Sequence, residues 1–163
     1  MSVATLPEPA GVLPELCLHR LLVAIDGSAN ADLALSAAIT AARRDHATVT
    51  LLMVGPDLAA GPAAWSVPLG GGADQATVDE DCCRKLTEAV ARIPADVSVT
   101  TLYRRGKAGP EIVKAAKEAD YDAILLGARG VGRVHALMGS VSHYVLHHAD
   151  TAVFVAHAPR CAT

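Results

Sequence analysis

Toward the C-terminal end of the chain, an apolar run, Ala123-Ile124-Leu125-Leu126, empties into Gly127-Ala128-Arg129-Gly130-Val131-Gly132. Nine residues after Gly130 comes Gly139-Ser140, opening a segment of helical periodicity. Glycine lets a backbone approach an anion closely. Free N–H groups at a helix start, with the positive end of the helix dipole, then bind the charge. A strand that ends in glycines and leads to a helix start is therefore chemistry suited to a phosphate. The Ser140 hydroxyl can donate one further bond, and Arg129, Arg133 and His135 flank the glycines where they can reach phosphate oxygens. Glycine spacing alone is a weak signal. A second feature strengthens it: the apolar run Leu21-Leu22-Val23-Ala24-Ile25 ends in Asp26-Gly27-Ser28, placing a carboxylate at a strand terminus.

The elements that must position these groups follow from periodicity. Strands are expected at Leu21–Ile25, Val49–Val54, around Val97, Val99 and Leu102, at Ala123–Leu126 and at Thr151–Ala156. Between them lie four amphipathic helices. The first carries Ala34, Ala38 and Ala42 beside Leu35 and Ile39 and closes at Arg43-Arg44. The second runs from about Asp74 to Ile93, before Pro94. The third starts at Gly109-Pro110-Glu111, with proline in the tolerated first turn and Ile112, Ala116 and Ala119 inward. The last carries Val141, Tyr144, Val145 and His148 at i, i+3, i+4 and i+7. This alternation predicts an α/β fold, a five-stranded parallel Rossmann-like sheet of order 3-2-1-4-5 with helices on both faces. Strands one and four then lie side by side at the switch point, where such sheets bind ligands beyond their carboxyl ends. Asp26, Leu126 and Gly127 meet there.

Composition supports a buried sheet between helices. Hydrophobic residues make up 52% of the 163, yet aromatics only 3%, so Ala, Val, Leu and Ile must tile the core. The expected organisation is an N-terminal tail at 1–18, rich in proline, one domain at 19–158 and a short tail at 159–163. Residues 55–74, with Gly70-Gly71-Gly72 and Trp65, form a long loop of the kind that is usually functional. A net charge of −3 offers no footprint for nucleic acid or an anionic membrane. No apolar run approaches the roughly 18 residues of a membrane span. The first basic residue, Arg20, comes too late for a secretory leader. Cys17, Cys82, Cys83 and Cys161 lack metal or redox spacing, so a reduced, cytoplasmic chain is expected. Cys82 and Cys83 on one helix should give one buried and one exposed thiol.

With these motifs in place, the chain resembles the universal stress protein family. Leu21 to Ser28 is similar to its opening strand, and Gly106–Gly109 with Pro110-Glu111-Ile112 to its third strand-to-helix junction. Gly127-x-x-Gly130 followed by Gly139-Ser140-Val141-Ser142, Tyr144 and His148-Ala149 is similar to its C-terminal signature. The resemblance spans roughly 19–158. It implies a cytoplasmic homodimer that binds an adenine nucleotide, foremost ATP with Mg2+ accompanying it, or AMP or cyclic AMP, and regulates stress responses through a protein partner, without dedicated catalysis. It also implies that Asp26 faces the adenosine, Ala24 lines that pocket and the Val54 backbone bonds the adenine. Gly127, Gly130, Gly139, Ser140, Val141 and Ser142 would hold ribose and phosphates, and Leu126, Arg129 and Gly132 complete the expected set. One departure stands out: eight residues, Val131–Met138, separate Gly130 from Gly139 where the ATP-binding pattern has nine. The alternative is a nucleotide-free dimeric interaction module.

Plainer readings stand beside these. Asp26 can cap the turn after its strand, and Ser140 can serve as an N-cap. His143 and His147 have the i, i+4 spacing of a shared metal but no helical carboxylate beside them, so no metal centre is expected. His148 should be packed and hydrogen-bonded. The strand Thr151–Ala156 is apolar on both faces at a sheet edge and should pair with a second copy.

Overall fold

The structure, a computed structural model, describes residues 16–61, 74–128 and 138–157. Five strands, β1 (Arg20–Ile25), β2 (Thr48–Gly55), β3 (Val99–Arg105), β4 (Ala123–Gly127) and β5 (Ala152–Ala156), form one sheet of order β3-β2-β1-β4-β5. Every pairing is parallel, with Val23 of β1 set between Leu51 of β2 and Leu125 of β4. The doubly wound order expected from the alternating pattern is the order observed.

Helices α1 (Ala29–Asp45) and α2 (Gln75–Ala91) cover one face of the sheet, and α3 (Ala108–Glu118) and α4 (Ser140–His148) the other. Strand alternation divides the apolar side chains between them. Leu21, Val23, Ile25, Leu51, Met53 and Leu125 pack toward α1 and α2, whereas Leu22, Leu52, Ile112, Ile124, Leu126 and Val145 pack on the α3–α4 side. Alanines at Ala34, Ala38 and Ala42 let α1 lie close to the strands.

Local chemistry sets the element ends. Ser28 caps α1, its Oγ accepting from the Ala31 N–H at 3.2 Å, and His46 ends the helix in the left-handed conformation. Asp74 caps α2 through the Thr77 N–H at 2.8 Å. Helix α3 begins at Ala108, one residue before the expected start, with Pro110 still inside the first turn, where its missing N–H costs nothing. Val97, expected within the third strand, precedes β3 as a buried turn residue whose N–H donates to the Pro94 carbonyl. At the other end of the sheet Leu18 is buried in the core, its N–H donating to Asp45, while the Asp122 carboxylate accepts from the His19 and Arg20 N–H groups at 2.7 Å each. None of the described helices is long and apolar enough to cross a membrane.

Candidate functional site

The crevice lies where β1 and β4 end together. Asp26 follows β1 directly and, by alternation from Ala24, falls on the α3–α4 side of the sheet. It is half-buried, and its Oδ1 accepts from the Ser28 N–H at 2.9 Å across Gly27, whose φ of +82° suits glycine. The turn-capping role is therefore real, and it occupies one oxygen. Among the described residues, Oδ2 has no partner. Ala24 and Val54 are also half-buried on this side, beside neighbours Leu22 and Leu52 that are fully enclosed. The sheet is thus less enclosed at its carboxyl rim near Asp26 than one step deeper, at Leu22 and Leu52.

Helix α4 aims its N-terminus at the same rim. Gly139, not Ser140, is the capping residue, and no side chain caps it, so the N-cap reading of Ser140 is corrected: Ser140 is the first residue of the helix proper and is exposed. Its exposure follows from Ser142, two residues on and about 200° further round the helix, taking the inward position. Ser142 is 2% exposed and its Oγ donates to the carbonyls of Ala128 (2.9 Å) and Gly139 (3.0 Å). The Gly139 N–H also donates to Ala128 at 2.6 Å, and the Ala128 N–H to Ala156 at 2.7 Å. These bonds close the neck of the glycine loop and tie it to β5. The first-turn N–H groups of Ser140, Val141 and Ser142 meet no acceptor among the described residues, which leaves donors and a positive dipole end for an anion.

Gly127 is required for a reason other than the one its spacing suggests. Its φ is not positive, and a Cβ there would lie 2.7 Å from the backbone and Cβ of Asn30 and 2.8 Å from the Ala31 nitrogen. Glycine lets the end of β4 and the start of α1 touch. Arg129, Gly130, Gly132, Arg133 and His135 lie outside the described residues, as do Trp65 and the centre of the 55–74 loop.

A polar cluster at the neighbouring rim has no counterpart in the sequence reading. The Asp79 carboxylate accepts from Tyr103 Oη at 2.5 Å, from Gln75 Nε2 at 2.8 Å and from the Arg105 guanidinium. Gln75 also donates to the Pro56 carbonyl and accepts from the Leu58 N–H, which fastens the root of the long loop to α2. The hydrogen bond from Tyr103 foremost holds the Asp79 carboxyl below the usual range, and burial with the Asp79 bond pushes the Tyr103 phenol well above its own. The only signal in the sequence is Gln75 and Asp79 at i, i+4; their partner strand comes 24 residues later. Cys82 is buried and Cys83 exposed, as expected, and burial pushes the Cys82 thiol up, away from reactive thiolate.

His148 departs from expectation in part. Its Nδ1 bonds the Tyr144 carbonyl at 2.8 Å and its ring stacks on Tyr144 at 3.9 Å, but it is exposed, because α4 turns that edge to solvent. Two surface cavities lie away from the crevice: one of about 580 Å³ at the opposite end of the sheet beside Leu18 and Tyr121, one of about 450 Å³ between α2 and β3. The described residues hold no group of three or more His, Cys, Asp or Glu able to ligate a metal.

Residues 18–157 match the model of the universal stress protein family. The chain belongs to that family. It is 31% identical over 140 residues to universal stress protein YxiE of Bacillus subtilis, covering 78% of this chain and 90% of that one. Its fold is shared with a universal stress protein solved in complex with cAMP (TM-score 0.66, 20% identity, 88% of this chain and 100% of that one). It is shared too with one from Archaeoglobus fulgidus in complex with dAMP (TM-score 0.61, 23% identity, 86% and 99%). As a universal stress protein, the chain carries the resemblance read from Asp26-Gly27-Ser28 and Gly139-Ser140-Val141-Ser142 across the whole domain, not in isolated motifs.

Proposed function

We propose that this universal stress protein binds an adenine nucleotide in the crevice between β1 and β4 and works as a nucleotide-dependent regulator of stress response rather than as a dedicated enzyme. The observation that carries this reading is the convergence of three features at one rim: the N–H groups at the start of α4 and the Oδ2 of Asp26, which meet no partner among the described residues, and the half-exposed surface of Ala24 and Val54. The donor set suits the ligand. Phosphates would take the helix start and the glycine loop, Gly127 through Ser142, with Arg129 as counter-charge. The ribose would face Asp26, and the base would lie over Ala24 with the Val54 backbone at its edge. Ser142, engaged with Ala128 and Gly139, would contribute its N–H and hold the loop's neck. The relatives bound to cAMP and dAMP support an adenine nucleotide; ATP, with Mg2+ on its phosphates, is the form proposed.

Binding at the glycine loop and beside the 55–74 segment would change a surface that a protein partner reads, a shift of population between two states. A homodimer through the β5 edge fits the exposure of Phe154 and Ala152, and the cytoplasm is the proposed compartment. The eight-residue spacing favours a second reading, a dimeric module that binds no nucleotide.

Denaturing the purified protein and separating the supernatant by ion-pair chromatography tests the two. Near-stoichiometric adenine nucleotide is expected. Added ligand at 100 times Kd should stabilise by about 2.7 kcal/mol, a rise of about 5–10 °C in Tm for a domain of this size. An empty protein with no thermal shift on ATP, AMP or cyclic AMP would overturn the nucleotide reading in favour of the module.

A further inference from the structure

Helix α4 presents its inner edge, Ser142 and Val145, to the core and packs Tyr144 against Gly109 of α3. That leaves His143 and His147 on the outward edge, both exposed, one helical turn apart. Their ring centroids are 4.5 Å apart with planes inclined at 57°, and among the described residues neither ring meets a hydrogen-bond partner. The other pair at this spacing on the same helix behaves differently. His148 is spent on Tyr144: a carbonyl only accepts, so Nδ1 carries the proton, and the ring lies flat on the phenol at 3.9 Å.

We propose that His143 and His147 form a two-imidazole chelate for a divalent transition-metal ion of the zinc, nickel and copper class, separate from the nucleotide crevice. Imidazole nitrogen suits these ions. Zinc–nitrogen bonds of about 2.0–2.1 Å at a tetrahedral angle place two ligating nitrogens about 3.3 Å apart, a spacing within reach of rings at this separation. Two ligands from one chain leave the remaining positions to water, so the site is open and exchangeable rather than structural. Bridging successive turns, the ion would also clip a helix of nine residues, shorter than one that is stable alone.

The test uses the full chain stripped with EDTA and titrated with ZnCl2. It follows imidazole nitrogens by 1H–15N correlation and heat by calorimetry. One equivalent should shift His143 and His147 together. His143→Ala and His147→Ala should each weaken that event at least tenfold, with circular dichroism unchanged, and His148→Ala should leave it intact. Shifts confined to other histidines or to the thiols, or equal affinity in the double variant, would overturn the proposal.

Discussion

The two faces of the sheet are built from the same kinds of side chain and end differently. On the α1–α2 side, Ile25 and Met53 stay buried to the ends of their strands. On the α3–α4 side, Leu22 and Leu52 are enclosed but Ala24 and Val54, one step toward the carboxyl rim, are half-exposed. The carboxyl rim on this side meets the start of α4, which follows β4, rather than a helix flank, because parallel crossovers place helix N-termini at the carboxyl ends of the strands. A crevice is left there, next to the uncapped start of α4 and beside Asp26. Ligand space in this fold lies where the sheet's outermost residues face helix starts instead of a packed helix face.

The comparison breaks first at the core. Leu22→Ala and Leu21→Ala remove fully buried side chains from the two faces and should each cost about 2–5 kcal/mol in urea denaturation. Val54→Ala, at the rim, should cost under about 1 kcal/mol while weakening nucleotide binding. Equal losses at Leu22 and Val54 would mean the rim is as closed as the interior. Gly127→Ala tests the junction of β4 and α1: its Cβ would press into Asn30 and Ala31, for an expected loss of about 1–3 kcal/mol.

Ser142→Ala should be milder, about 1 kcal/mol, because Gly139 N–H still satisfies the Ala128 carbonyl. Hydrogen exchange at Gly139 and Ser140 should nonetheless speed up, since the neck loses one of its ties. The smallest effect concerns pH. The hydrogen bond from Arg44 foremost, and that from the Leu18 N–H, hold Asp45 at about 2. Its unfolded carboxyl titrates near 3.9, so its stabilising contribution is complete above about pH 5 and lost as pH falls toward 2. Exchange of the Leu18 amide should rise across that interval, and Asp45→Asn should flatten the change.

Strand and helix order was legible because each element carries its period locally: Leu21–Ile25 and Ala123–Leu126 as unbroken apolar runs, Ala34, Ala38 and Ala42 at i+4. The order 3-2-1-4-5 followed from taking the parallel sheet, with its right-handed crossovers, to be doubly wound. Asp26, Gly127 and Gly139 could be brought to one rim on those grounds alone. Chain ends of elements were less legible. Gly139 took the cap that Ser140 offered, since burying Ser142 sets the helix phase, and that choice depends on Ala128, which lies 14 residues away.

The residues by themselves determined the alternation of elements, the sheet they build and the family they share, because propensity and periodicity act over a few neighbours. Only the tertiary structure decided why Gly127 is glycine, which oxygen of Asp26 is spent, and that Gln75, Asp79, Tyr103 and Arg105 form one cluster. Those facts rest on approaches between segments distant in the chain. Such approaches depend on how closely whole elements pack, which no local pattern encodes.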